Sequence, residues 1–138
     1  MTRPAVPVPD DVDPFDLPDW LGAIHVTWTP EKGVRVGHLV SGELRAEDHR
    51  LPCDLLAVDE AYPRPVADDE TRTRSHQTWR HGEVLLVSYD GRLTLAVPGR
   101  DFTADRVLDA LARLARAVGA SPDDYAALLR LGRDGTPP

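Results

Sequence analysis

A single cysteine, Cys53, is present in the 138 residues, so the chain cannot form an internal disulfide. A lone thiol fits a reducing compartment. No apolar run approaches the roughly 20 residues that a membrane-spanning helix needs. Arg3 is not followed by the apolar stretch of a secretory signal, so a cytoplasmic protein is expected. Lysine occurs once and asparagine not at all, whereas Ala, Arg, Asp, Val and Pro abound, a codon bias that suggests a GC-rich bacterial genome.

Chemical signatures are equally scarce. The glycines form neither a Gly-x-Gly-x-x-Gly turn nor a Walker loop, and Ser41, Ser75, Ser88 and Ser121 all lack the Gly-x-Ser-x-Gly context of an activated nucleophile. His49 with Cys53, and His76 with His81, do not make the tight ligand pairs of a structural zinc site. In a strand, the second pair would point to opposite faces. Cys53 beside Pro52 opens an apolar strand, where a small buried hydrophobe is the usual role. The acid pairs Asp59-Glu60 and Asp68-Asp69-Glu70 do not follow an EF-hand spacing. No catalytic residue, metal or cofactor is therefore expected.

What is present is charge, concentrated in two places. The net charge is -7. Residues 1–20 contribute five Asp against Arg3, and residues 59–70 contribute five acids against Arg64, so the remainder is nearly neutral. Acidic segments repel phosphate, which disfavours nucleic acid as a partner. The cation-rich stretch Arg72–His81 follows the acids of Asp68–Glu70 directly, and pairing between the two is the simpler expectation.

Composition is otherwise that of one ordinary domain, with 41% apolar and 28% charged residues. Residues 1–14, rich in Pro and Asp, are expected to be a disordered acidic tail. A single domain is expected over 15–132 and a flexible tail over 133–138. Phe15, Leu17, Trp20 and Leu21 should dock on the domain or on a partner, with a helical turn near Asp16–Trp20.

Ile24, Val26 and Trp28 alternate with polar residues as a half-buried strand does, and Val34–Val40 suggests a second strand. Leu51–Val58 suggests a third, buried on both faces because its end is continuously apolar. The stretch 59–73 reads as a long loop. Ser75–Arg80 is expected as a fourth strand. Asp90-Gly91 between Val84–Val87 and Leu93–Val97 is a strong hairpin signal, giving the fifth and sixth.

Thr103 is a suitable N-cap for a helix in which Val107, Leu108, Leu111, Leu114, Ala115 and Val118 share one side, with Gly119 at its C-terminal stop. Burying such Val and Leu side chains, at roughly 1.5–3 kcal/mol each, outweighs the Asp109–Arg113 surface pair. Ser121-Pro122-Asp123-Asp124 is a further helix start, with Tyr125, Leu128 and Leu129 on its apolar side.

The expected fold is thus α+β: an antiparallel meander sheet of five or six strands, with two C-terminal helices packed on one face. The expected function is a non-catalytic protein-binding module, adaptor or chaperone-like. Its partner would be another protein, or a second copy of the chain. The alternative is a small-molecule-binding protein or enzyme with a site between sheet and helices. Asp59, Glu60, Tyr62, His76, Trp79 and His81 are the candidate partner- or ligand-binding residues, as the polar and aromatic groups in and after the long acidic stretch.

Overall fold

The computed structural model describes residues 10–31, 39–61, 65–89 and 91–128. Tyr62, most of the expected second strand, residues 1–9 and the 133–138 tail lie outside the described residues. The strands are β1 (Asp10–Asp11), β2 (Val26–Pro30), β3 (Leu39–Val40), β4 (Gly42–Ala46), β5 (His49–Ala57), β6 (Leu85–Tyr89), β7 (Arg92–Val97) and β8 (Tyr125–Ala127). The helices are α1 (Trp20–Ala23), α2 (Asp69–Arg80) and α3 (Ala104–Ala117), with single 3-10 turns at Pro14–Asp16 and Pro122–Asp124.

The class is α+β. The sheet, however, is mixed and has eight strands, in the order β1-β6-β7-β5-β4-β2-β8, with β3 also paired to β5. It is not an antiparallel meander of five or six. β5 and β7 run parallel, as do β2 and β8. The first parallel pair arises because α2 carries the chain from β5 past one place in the sheet to β6, and the β6–β7 hairpin then turns back so that β7 fills that place alongside β5.

Where a fourth strand was expected at Ser75–Arg80, the chain is helical. Asp68 caps α2 by accepting the Thr71 N–H at 3.2 Å, Asp69 and Glu70 sit in its positive first turn, and Arg80 sits in its last. The loop before it is therefore only residues 58–68. The second C-terminal helix is also replaced. Ser121 caps a single 3-10 turn, and Tyr125 then enters β8, where it pairs with Val26.

The long helix matches the expectation. Thr103 Oγ1 accepts the Arg106 N–H, Gly119 takes φ +84 after the last turn, and Val107, Ala110, Leu111, Leu114 and Ala115 are buried. Leu108 is the exception, at 45% exposed. The β6–β7 hairpin is also as expected: Tyr89 pairs with Arg92 across a two-residue connection, and Gly91 has φ +78.

Strand alternation divides the core. Leu55, Ala57, Leu86, Leu93, Leu95 and Val97 join the buried side of α3. Their neighbours Leu56, Val58, Leu85, Val87 and Ala96 form a smaller cluster with Ala67 on the other face. α2 touches β6 and β7, with Thr71 and Ser75 buried and Ser75 Oγ donating to the Ala96 carbonyl at 3.1 Å. Both faces of this half of the sheet are thus covered. On β2 and β4, by contrast, Val26, Trp28, Leu44 and Ala46 are buried while Thr27 and Arg45 are exposed.

Candidate functional site

Two of the expected site residues are brought together. Asp59 follows β5, and His76 lies in the middle of α2. His76 Nε2 is 2.9 and 3.0 Å from the two Asp59 carboxylate oxygens. Asp59 also accepts the Gly99 N–H at 2.7 Å, while its own N–H donates to the Gly99 carbonyl at 2.8 Å. The carboxylate therefore ties the exits of the parallel strands β5 and β7 to α2. Helical spacing sets Arg72, His76 and Arg80 along one side of α2, and with Asp59 they border a shallow recess of about 330 Å³. Arg72 pairs with Asp69 at 2.5 Å, the internal charge pairing foreseen for this segment.

The other expected residues go elsewhere. Glu60 Oε1 accepts the adjacent Ala61 N–H. Trp79 packs against the main core, with the Arg113 guanidinium 3.5 Å above its ring. Arg113 also donates to the carbonyls of Trp79, at 2.7 Å, and Glu83, at 3.0 Å. It thus caps the end of α2 from α3, beyond its foreseen pairing with Asp109. His81, just past α2, faces a different cleft, so His76 and His81 do not share a site.

That second cleft, of about 760 Å³, runs between the start of the N-terminal segment, the end of α2, the beginning of β6 and the end of α3. Arg74, Arg113 and Arg116 supply its cations, His81 lies beside them, and Asp11 and Glu83 are its acids. A further cleft of about 360 Å³ adjoins it, and the two share Pro14, Arg116 and Ala117 in their walls. Phe15 borders this second part. Of the four apolar residues expected to dock, Leu21 is fully buried, Leu17 and Trp20 are partly buried, and Phe15 stands 94% exposed. It is held outward by a 3-10 turn in which Pro14 fixes the backbone, Asp13 Oδ1 accepts the Phe15 N–H at 3.0 Å and the Leu17 N–H donates to the Pro14 carbonyl.

A buried polar network went unforeseen. Asp54 lies inside β5 and is 3% exposed. Arg92 grips it with two hydrogen bonds, Nε to Oδ2 at 2.8 Å and Nη2 to Oδ1 at 3.0 Å. Arg92 also reaches Glu31 at 2.7 Å and the Gly42 carbonyl, and the Gly42 N–H donates to Asp54 Oδ1 at 3.2 Å. These bonds take up Gly42's backbone groups where the ladder along β5 is interrupted between β3 and β4, although the register is unchanged across the gap (Val40 opposite Leu55, Glu43 opposite Pro52).

Gly42 is required there for a second reason. A Cβ on it would lie 2.5 Å from the Trp28 ring, and Trp28 is fixed by its Nε1 donating to the Cys53 carbonyl at 2.8 Å. Hydrogen bonds to Asp54 and Glu31 push the Arg92 guanidinium above its ordinary range. Burial, reinforced by the Asp54 charge and opposed by Arg92, pushes the Cys53 thiol well up, so it stays protonated and unreactive. Burial first, and then Cys53, does the same to the Tyr125 hydroxyl, which donates to the Leu21 carbonyl at 2.7 Å. The sequence signal for the network was an acid within the apolar run Cys53–Val58, which requires a cation to face it.

Among the described residues no group of three or more His, Cys, Asp or Glu is placed to hold a metal ion. None of the helices is long and apolar enough to cross a membrane, again among the described residues. A scan against protein-family models finds no match, and searches of curated proteins and of solved structures find none either.

Proposed function

We propose that this chain is a non-catalytic protein-binding module, adaptor or chaperone-like, that engages another protein along the trough beside its N-terminal segment. The observation that carries the reading is Phe15, an aromatic at 94% exposure beside the smaller of two adjoining clefts. Aromatic anchors dominate protein interfaces, and burying such a ring is worth about 1.5–3 kcal/mol.

The test replaces Phe15 with a photo-crosslinking phenylalanine analogue in the source cell, with the exposed Asp105 position as control. A discrete protein adduct at residue 15, absent at 105, is expected. The identified partner, once purified, should bind the Phe15→Ala chain at least tenfold more weakly while the melting temperature stays unchanged. Equal adducts at both positions, or no adduct at 15, count against the reading.

The Asp59–His76 pair in its recess favours the alternative, a small polar ligand. Its carboxylate is engaged by Gly99, which gives it a structural task as well. That alternative expects a ligand-induced rise in melting temperature that His76→Ala abolishes.

A further inference from the structure

The edge of the sheet next to the trough is covered in an unusual way. β6 is a well-anchored strand: Leu85, Leu86 and Val87 are buried, and β7 pairs with it along its whole length on one side. Among the described residues its other side meets Asp10 opposite Ser88, Asp11 opposite Val87, and a bond from the Val12 N–H to the Leu86 carbonyl at 3.1 Å.

Aspartate is a poor strand former, and both aspartates are exposed, so apolar burial does not hold them in place. Arg74 supplies part of the hold. Its Nη1 is 2.7 Å from Asp11 Oδ1, and that hydrogen bond, with burial opposing it, raises the guanidinium above its ordinary range. An ion pair 38% and 64% exposed on its two sides contributes little to holding a strand down. Val12, packed on the main core, adds to the hold.

The geometry points to this segment as a stand-in, occupying in cis an edge that receives an acidic extended segment of another protein as an added antiparallel strand. This rests on the protein-binding reading above and names its partner class. Side chains alternate along a strand, so Asp11 faces Arg74 and α2 while Val12 faces the core. The edge therefore fits a carboxylate followed by an aliphatic residue. Backbone pairing supplies affinity and the two side chains supply selectivity, as in other strand-addition interfaces. When Asp10–Val12 leaves, Asp11 goes with it. The wall that remains, with Arg74 released and Arg116 near it against Glu83, favours an incoming acidic chain.

The test uses the full chain in three forms, with a fluorescent synthetic peptide of residues 6–14 as probe. The first form is unaltered. In the second, Asp11→Asn with Val12→Pro removes the Arg74 pair and the bond to Leu86, freeing the edge. In the third, Asp10→Cys with Ser88→Cys staples β1 to β6; the native Cys53 is buried and cannot compete.

The freed form should bind the peptide at least tenfold more tightly than the unaltered chain. The oxidised staple should not bind until it is reduced. A peptide carrying Asp11→Asn should bind the freed form several-fold more weakly, and Arg74→Ala should erase that difference. The inference is overturned if the freed form keeps its circular dichroism and melting temperature yet ignores the peptide. It is overturned equally if the oxidised staple binds as well as the unaltered chain. Self-association of the freed form in light scattering would assign the edge to a second copy and overturn the acidic partner.

Crosslinking at residue 15 in the stapled chain separates this inference from the function it rests on. Adducts that persist under oxidation uphold protein binding and overturn the edge. Adducts lost on oxidation and restored on reduction support both.

Discussion

Asp54 and Asp59 are two versions of one clamp. Each accepts a glycine N–H, from Gly42 and Gly99, and each faces a basic side chain, Arg92 and His76. They differ in their access to water. The Asp54 side chain is 5% exposed and the Asp59 side chain 28%. In the interior nothing but protein can answer the carboxylate, so it takes a two-pronged guanidinium and a backbone amide together. At the rim the carboxylate is open to solvent, and an imidazole beside the Gly99 N–H takes the place of the guanidinium.

Removing the basic partner should therefore have very different effects at the two sites. Arg92→Ala leaves Asp54 buried and unpaired and should destabilise by about 3–5 kcal/mol. Asp54→Asn should cost less, about 1–3 kcal/mol, because the Arg92 side chain is 32% exposed and can rehydrate. Urea unfolding of both variants checks the order, and a reversal would break the comparison.

Gly42→Ala should cost about 1–3 kcal/mol, because the new methyl meets a Trp28 ring that is fully buried and anchored through its Nε1. If the loss were nil, the interior clamp would be looser than its distances indicate.

Alkaline pH probes the same interior. The folded Cys53 thiol is held protonated above its ordinary value of 9.0, whereas in the unfolded chain it ionises there. Stability is intact below pH 9 and falls as pH rises above it, by about 1.4 kcal/mol per unit. Tyr125 adds its own loss from its ordinary value of 10.0 upward. Unfolding midpoints between pH 8 and 10.5 should show the decline, and Cys53→Ala should remove its first part.

At the rim, Asp59→Ala should cost about 1–2 kcal/mol, since the Gly99 N–H loses its acceptor. His76→Ala should cost under about 1 kcal/mol, as an exposed pair does. A larger loss at His76 than at Arg92 would mean that α2 rather than the interior governs stability.

The two long helices explain what could be read from the chain. α3 announces itself because five of its residues enter the core at helical spacing. α2 has little apolar stripe: its buried side chains are Thr71 and Ser75, and Trp79 is its one large apolar residue. Its start was written in Asp68-Asp69-Glu70, three acids that can cap a helix as readily as they can fill a loop. Without α2 the chain reads as running from β5 into an adjacent strand, which hides the skipped place that β7 fills parallel to β5. β8 was hidden differently. Ser121-Pro122-Asp123-Asp124 does start a helical turn, but the open side of β2 and the Tyr125 bond to Leu21 draw the following residues into the sheet. Asp59 and His76, polar groups in and after the acidic stretch, do meet. In the sequence Arg92, an arginine at a hairpin, resembles any surface charge, and only the burial of Asp54 gives it a task.

The β2–β8 pairing has a consequence for synthesis. Among the described residues β2 gains its second neighbour from 125–128, with the Leu128 N–H bonding the Trp28 carbonyl. At roughly 5–20 residues per second, translation leaves that flank of β2 bare for about 5–20 seconds. A ribosome that stalls in that interval holds out an unpaired β-edge to its neighbours on the same message, an invitation to co-aggregate that the finished chain withdraws.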